Sequence, residues 1–248
     1  MAVERDVRLA GRRFPLLAGL LILGSLWLFL GVLEDVATND PLVDFDLTVQ
    51  QTLQKLRTPL LDGVMVALTA LGGVEVVLPL VIAALAWFVW HRLWRTSLYW
   101  LLAAGIAELL VKVLKWLLHR PRPASLYQGL EMYSFPSGHA TVAVVVYGFL
   151  AFLVCRGKVA AVQWRVGLMT GAMLLAIGFS RLYLGVHWFS DVIAGMSLGL
   201  AWAGALAIAY SYGAPEDVRP LPLSLSLWLM LVLLLAWSWH AGITLIDR

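Results

Sequence analysis

Long apolar runs alternate with short polar segments along the chain. Before residue 211, six of these runs have about the 20 residues that a helix needs to cross the hydrocarbon core of a bilayer. A backbone inside a bilayer must satisfy its own hydrogen bonds, so runs of this kind form helices. The pattern therefore predicts an all-α, polytopic transmembrane helical bundle. Its six core spans are predicted at 14–33, 74–90, 97–118, 138–154, 166–183 and 188–210.

A further apolar run, 223–246, follows a polar break and predicts an extra C-terminal hydrophobic helix, either a seventh span or a long interfacial helix. The first run is expected to be a retained span, because it ends in Glu34-Asp35 and lacks the small-residue cleavage site of a signal peptide. The chain is thus divided into a basic cytoplasmic N-terminus at 1–13, a six-span domain at 14–210, and a polar linker with the C-terminal hydrophobic helix at 211–248.

The segment between the first two spans is acidic at its start and then carries apolar residues at helical spacing. These residues are Val49, Leu53, Leu56 and Leu60. Such spacing predicts an amphipathic helix that lies at the membrane interface. The apolar stretch that follows, 60–71, is short and is broken by Gly72-Gly73.

Composition excludes a soluble globular protein. Hydrophobic residues make up 61% of the chain and charged residues 13%, about half the charged fraction of a soluble domain. The net charge of +3 is scattered between apolar runs, so no nucleic-acid partner is expected. The single cysteine, Cys155, excludes an intrachain disulfide and a cysteine-ligated metal site.

Lys and Arg residues are concentrated in alternate loops, which predicts the orientation. More than half of them fall in segments that share one side of the bilayer if the N-terminus is cytoplasmic. The acidic segment after the first span then lies on the opposite side. The polar motifs described next all fall on that outer face as well.

The string Pro136-Ser137-Gly138-His139 precedes an apolar helix. Ser137 is a candidate N-cap, and Gly138 lets the backbone approach a ligand. A helix N-terminus attracts phosphate oxygens, and His139 in its first turn is placed to protonate a leaving group. Taken alone, the string fits a capped helix with an interfacial histidine equally well.

The string Ser180-Arg181 is followed by His187 and Asp191, which are four residues apart and share one face of a helix. A carboxylate beside an imidazole fixes its tautomer and raises the basicity of the far nitrogen. Arg181 can bind a phosphate in bidentate fashion. The structural alternative is an ion pair that stabilises the start of the last span.

A third string, with Lys115 and Arg122-Pro123, leaves the membrane at its outer end. Cations there could instead snorkel to lipid headgroups. Arg120 also precedes a proline, but Val113 occupies the position that would match its lysine. Glu108 and Lys112 lie on the same side of the predicted third span as Lys115, and they suggest a structural ion pair. The alternative is that Lys112 supplements a phosphate site or that Glu108 tunes Lys115.

Together the three strings match K-x6-R-P, P-S-G-H and S-R-x5-H-x3-D with every position filled. With these three motifs the chain resembles the type-2 phosphatidic acid phosphatase superfamily. That superfamily includes bacterial membrane lipid phosphatases, glucose-6-phosphatase and the vanadium haloperoxidases. The motifs cover 115–191, and the six-span plan is similar from about residue 14 to residue 210.

The resemblance implies a role for each motif residue. His187 would be the nucleophile that forms a phosphohistidine, Asp191 would orient it, and His139 would be the general acid. The groups that would bind the phosphate oxygens are Lys115, Arg122, Ser137, Gly138 and Arg181. No metal and no other cofactor is expected, because phosphoryl transfer depends mostly on positioning and charge stabilisation, which three fixed cations can supply.

The function expected from the resemblance is a bacterial inner-membrane lipid phosphatase with its site at the outer face. Its substrate would be a lipid phosphomonoester or pyrophosphate of the phosphatidate, phosphatidylglycerophosphate or undecaprenyl diphosphate class. Lipid-to-lipid phosphotransfer, vanadate-dependent halide oxidation and non-catalytic lipid-phosphate binding or transport are the alternatives. The bilayer and the lipid substrate are the expected partners, and the sequence leaves the oligomeric state open.

Overall fold

A computed structural model describes residues 2–38, 42–123, 132–213 and 216 of the chain. Helices make up nearly all of these residues, with one isolated bridge between Pro121 and Tyr133, so the predicted all-α class is confirmed. The eight helices are α1 (Ala2–Thr38), α2 (Leu42–Lys55), α3 (Pro59–Ala70), α4 (Val74–Trp90), α5 (Trp94–Leu118), α6 (Gly138–Cys155), α7 (Ala160–Tyr183) and α8 (Phe189–Ser211).

Each predicted span falls on a long helix of the bundle, although α1 extends beyond the run 14–33 at both ends. Helix α4 begins and ends where the apolar run does, and α5, α6 and α8 differ from their runs by a few residues at most. Helix α7 begins six residues before the predicted start, because its first turns carry polar residues such as Gln163, whose side-chain amide bonds the carbonyls of Cys155 and Lys158.

Five stretches are long and apolar enough to cross a membrane, which supports an integral membrane protein. They are Leu16–Thr38, Pro59–Trp90, Gly138–Cys155, Ala160–Tyr183 and Phe189–Ser211. Helix α5 has 25 residues but carries Glu108, Lys112 and Lys115, and it is not among the five. The number of six core spans stays a prediction, and the run 223–246 lies outside the described residues.

The predicted interfacial helix is wrong in one respect, because its apolar stripe is divided between two helices. Helix α2 ends at Lys55, and Leu60 belongs to α3. Pro59 disfavours helical backbone at the residue before it. Thr58 accordingly has an extended backbone and caps α3 by accepting a hydrogen bond from the Leu61 amide.

Helices α6 and α8 approach closely through two glycines of α8. A Cβ atom on Gly195 would lie 2.7 Å from the Ser137 carbonyl oxygen, and one on Gly199 would lie 2.8 Å from the Thr141 carbonyl oxygen. Small residues four apart allow this backbone proximity in membrane helices. The contact brings the start of α6 against the first turns of α8, and the Ser137 amide donates to the Asp191 carbonyl oxygen at 3.0 Å.

We expect Gly199→Ala to destabilise the bundle by about 1–3 kcal/mol, because the new methyl group meets backbone that cannot rotate away. Gly148→Ala in α6 is the matched control, since nothing lies within 4 Å of its Cβ position. Helical glycine-to-alanine changes at open positions are neutral or stabilising. Thermal unfolding of both variants in detergent measures the difference, and equal melting temperatures would contradict the close approach.

Candidate active site

Three polar segments meet at one end of the bundle. They are the segment after α5, the segment that leads into α6, and the loop at 184–188 between α7 and α8. The Trp188 indole N–H donates to the Pro121 carbonyl oxygen at 2.9 Å, and the Ser134 amide donates to the Arg120 carbonyl oxygen at 2.8 Å. These bonds hold the three segments together.

His187 and Asp191 form a hydrogen-bonded pair that is buried from solvent. Asp191 lies in the first turn of α8, where its Oδ2 accepts from the Trp188 amide at 2.9 Å and lies 3.3 Å from His187 Nδ1. On the other side of the ring, His187 Nε2 lies 3.0 Å from Arg122 Nη1.

These neighbours fix the tautomer of His187. A guanidinium can only donate hydrogen bonds, so Nε2 accepts from Arg122 and the ring proton resides on Nδ1, where Asp191 accepts it. The Nε2 lone pair therefore faces the cationic side of the site. An imidazole held in this way is equipped to act as a nucleophile or a base.

Burial, together with the positive charges of Arg181, Arg122 and Lys115, lowers the pKa of His187 well below its ordinary value. A lowered pKa favours the neutral imidazole, so protonation needs a more acidic solution than it does for a free histidine. At neutral pH the side chain is uncharged, and its Nε2 lone pair accepts the hydrogen bond from Arg122.

We expect the ¹⁵N NMR signals of His187 in detergent to keep the pattern of a neutral, Nδ1-protonated ring from neutral pH down to about pH 6, below the ordinary histidine midpoint near 6.5. The His187→Asn variant identifies its signals among the five histidines. A titration of His187 centred at about 6.5 would contradict the electrostatic environment described above.

Three cationic side chains from different segments surround this pair. Lys115 on α5 and Arg181 on α7 are buried, and Arg122 is partly buried. Arg181 Nη1 donates to Thr69 Oγ1 at 2.8 Å, and Arg122 Nη1 donates to the Val186 carbonyl oxygen at 2.8 Å. Because the charges of all three act on His187, they can also act on an anion bound beside it.

The first residues of α6 form another side of the site. Ser137 occupies the N-cap position, as predicted, although its hydroxyl makes no capping bond. Within the part of the chain that the structure describes, this buried hydroxyl has no hydrogen-bond partner. A Cβ on Gly138 would touch Val111 at an ordinary 3.4 Å, so packing alone does not require glycine there. His139 follows in the first turn.

The turn between α3 and α4 packs against His139. The sequence predicts only a break at the two glycines of this turn, and not the contact with His139. A Cβ on Gly73 would lie 3.7 Å from His139 Nε2, and one on Gly72 would lie 2.8 Å from a methyl carbon of Ile177. The Tyr147 hydroxyl fixes the turn by donating to the Leu71 carbonyl oxygen at 2.7 Å. Thr69, which binds Arg181, precedes this turn.

Arg120 and Asp46 also belong to the site, although neither is a motif position of the three strings. Arg120 Nη1 donates to Asp191 Oδ1 at 2.7 Å, and Arg120 Nη2 donates to Asp46 Oδ2 at 2.6 Å. Ser134 adds a longer bond to Asp191 Oδ1 at 3.4 Å. The K-x6-R-P string selects Arg122 and not Arg120, because Val113 lies where a match to Arg120 would need a lysine.

Glu108 and Lys112 form the ion pair that was the structural alternative, with 3.1 Å between Lys112 Nζ and Glu108 Oε1. Their side chains are 51% and 54% exposed, whereas Lys115 is buried. The pair thus lies on the exposed side of α5, and Lys112 is not one of the cations grouped with Lys115, Arg122 and Arg181. Among the described residues, no group of three or more His, Cys, Asp or Glu side chains could hold a metal ion.

Comparison with known proteins places this geometry in a family. Residues 96–214 match the family model described as the PAP2 superfamily. The chain is 34% identical to phosphatidylglycerophosphatase B of Bacillus subtilis over 180 residues, which are 71% of this chain and 88% of that protein. The chain belongs to the PAP2 superfamily.

Other relatives agree with membership of the PAP2 superfamily. The chain is 27% identical to an undecaprenyl-diphosphatase of Sulfolobus acidocaldarius over 185 residues, which are 72% of this chain and 84% of that protein. A crystal structure of a transmembrane PAP2-type phosphatidylglycerolphosphate phosphatase from Bacillus subtilis has a TM-score of 0.66 at 31% identity. It covers 79% of this chain and 98% of the other. The resemblance drawn from the three strings is therefore confirmed.

Proposed function

We propose that this PAP2 protein is an integral membrane phosphatase that removes a phosphate group from a lipid phosphomonoester or pyrophosphate. One observation carries the proposal: the Nε2 lone pair of a neutral, buried His187 faces Arg122, while Asp191 accepts the proton on Nδ1. Three cations beside a nucleophilic nitrogen suit attack on a phosphate group. The lipid phosphatases named among the relatives support the substrate class.

In the first step, Arg122 passes its hydrogen bond from His187 Nε2 to a phosphoryl oxygen, and Nε2 attacks phosphorus as the bond between phosphorus and the leaving oxygen breaks. His139 donates a proton to that oxygen, so that an alcohol, or a phosphate group in the case of a pyrophosphate, departs. Asp191 stabilises the positive charge that develops on the ring of His187. The product is a phosphohistidine with the proton retained on Nδ1.

In the second step, a water molecule attacks phosphorus and the bond to Nε2 breaks. His139, now neutral, takes a proton from the water. Inorganic phosphate leaves, and His187 and His139 return to their starting protonation states. Each step transfers the phosphoryl group once and consumes no other reagent.

The phosphoryl oxygens are held by Lys115, Arg122 and Arg181 together with the Ser137 hydroxyl and the Gly138 N–H. Charge spreads over these oxygens in the transition state, and fixed donors aimed at them stabilise it without reorganisation. The buried Ser137 hydroxyl is available for such a bond. We expect turnover that needs no added metal, because the cations of the site supply the charge.

The catalytic domain is proposed to be the six-span unit at 14–210, with the N-terminus in the cytoplasm and the site at the outer face of a bacterial inner membrane. The distribution of Lys and Arg supports this topology. A reporter fused after Tyr210 is then expected to be cytoplasmic, and a periplasmic signal from that fusion would reverse the proposed orientation.

The function is tested by phosphate release from detergent-purified protein in EDTA over a small panel. The panel holds phosphatidate, phosphatidylglycerophosphate, undecaprenyl diphosphate and a soluble phosphomonoester. We expect phosphate release that EDTA does not prevent and that is faster from the lipids than from the soluble phosphomonoester. The order of rates among the lipids then identifies the class of headgroup. Phosphate binding without release from any of the four would contradict a phosphatase and favour a transferase or a binding protein.

A further inference from the structure

Asp46 of α2 is a buried carboxylate that lies outside all three sequence strings. Its side chain is 1% exposed, and both of its oxygens are engaged. Oδ1 accepts from the Ser190 amide at 2.8 Å, while Oδ2 accepts from the Ser190 hydroxyl at 2.5 Å and from Arg120 Nη2 at 2.6 Å. A buried charge with this many donors belongs to a defined network rather than to a solvated helix face.

Arg120 connects Asp46 to the pair at the centre of the site. Its Nη1 donates to Asp191 Oδ1 and to the Ser190 hydroxyl, each at 2.7 Å, and its side chain is 10% exposed. The guanidinium therefore lies between two buried carboxylates. These hydrogen bonds link Asp46 through Arg120 and Asp191 to His187.

Asp46 affects the electrostatics of the site as well as its packing. Arg120 paired with Asp191 alone would cancel the negative charge of that carboxylate in a site of low dielectric. With Asp46 on its other side, the guanidinium is shared between two carboxylates, so less of its positive charge offsets Asp191. Asp191 is next to His187, whose ring becomes positive as Nε2 attacks phosphorus.

Helix α2 is anchored to the site at its other end as well. The side-chain Nε2 of Gln54 donates to the Tyr183 carbonyl oxygen at 3.1 Å, and the backbone amide of Thr58, just after the helix, donates to the Tyr183 hydroxyl at 3.1 Å. A Cβ on Gly185 would lie 2.8 Å from Gln54 Nε2, and Gly185 has a φ of +68°. The helix is thus fixed to the loop that carries His187.

We propose that Asp46 is a positioning residue of the active site. It holds Arg120 and the first turn of α8 so that Asp191 stays on His187 Nδ1, and it offsets the charge of Arg120 so that Asp191 remains effective toward the imidazole. This inference rests on the proposed nucleophilic role of His187. Asp46 touches neither the substrate nor the reacting atoms.

The first test is Asp46→Asn, with Asp44→Asn as the matched control because Asp44 is exposed on the same helix. We expect Asp46→Asn to lower kcat by about 10- to 100-fold, the range of coupling within a buried network, with KM little changed. The control is expected to keep wild-type values. An unchanged kcat for Asp46→Asn in an active preparation overturns the inference and leaves the proposed function standing.

The double variant Asp46→Asn/Arg120→Gln separates a charge effect from a loss of structure. Removing the guanidinium charge that Asp46 no longer offsets returns the charge of Asp191 to His187, so kcat is expected to recover in part relative to Asp46→Asn. If Asp46 acts only by holding Arg120 in place, the second change adds further damage. A double variant that is slower than Asp46→Asn would therefore overturn the charge offset proposed for Asp46.

Two further measurements cover other failures. Should Asp46→Asn not fold, Ser190→Ala removes only the hydroxyl shared by Asp46 and Arg120, and a lower kcat at unchanged KM is expected, while wild-type kcat overturns the inference. Should the wild type release no phosphate, the proposed function fails. In that case the ¹⁵N signal of His187 Nδ1 tests the role of Asp46 separately. The inference requires this signal to shift in Asp46→Asn, and an unchanged signal overturns the inference.

Discussion

His187→Asn is expected to reduce phosphate release from the preferred lipid by at least about 10⁴-fold, the scale on which enzymes lose turnover when the nucleophile is removed. Asparagine approximates the near side of the imidazole but has no lone pair at the position of Nε2 that can form a covalent phosphoryl intermediate. The three cations Lys115, Arg122 and Arg181 are unchanged, so the variant is expected to keep its affinity for phosphate. Steady-state release and equilibrium phosphate binding measure the two properties separately.

His119→Asn is the matched control for that variant. His119 ends α5 in a left-handed conformation with φ of 50°, and its ring packs edge-on against Tyr133 at 4.5 Å between ring centroids. Asparagine tolerates this backbone conformation. The control is expected to retain turnover within a few-fold, and an equal loss in both variants would mean that the effect of His187→Asn is not chemical.

His139→Gln is expected to slow cleavage of lipid phosphomonoesters by about 10²- to 10⁴-fold, the usual contribution of a general acid. The leaving alkoxide of a lipid ester is a strong base and needs a proton as it departs. A nitrophenolate does not, because it is stable as an anion. The loss measured with 4-nitrophenyl phosphate is therefore expected to be much smaller than the loss measured with phosphatidate.

The comparison between the two leaving groups makes the prediction specific to proton donation. Gly148→Ala, at an open position of the same helix, serves as the control for α6 and is expected to affect neither substrate. Equal losses for the lipid and the aryl ester in His139→Gln would indicate that His139 holds the phosphate rather than protonating the leaving oxygen.

Most of the helical plan could be predicted from the sequence because apolar run length is a local property. The bounds of α4 follow directly from the run 74–90, and the three motif strings lie at the ends of helices as expected. The break at Thr58 also has a local signal, the proline that follows it, but the helical spacing of the apolar residues continues across this break.

The network behind Asp191 could not be predicted because it depends on which segments meet. Asp46 is 144 residues from Ser190 and 74 from Arg120, and its acidic neighbours look like a solvated segment. Only the packing of α2 against α8 turns this one carboxylate inward. The spacing of Gly195 and Gly199 was a usable signal for a close helix contact, although it does not name the partner helix.

The proposed mechanism requires a phosphoryl group bound to His187, and rapid-quench trapping with ³²P-labelled phosphatidate tests for it. We expect label on the wild-type protein that survives alkali and is lost in acid, as a phosphohistidine requires. The label should be present in His119→Asn and absent in His187→Asn. Phosphate release at the wild-type rate by His187→Asn, or label on the protein that does not depend on His187, would contradict the account.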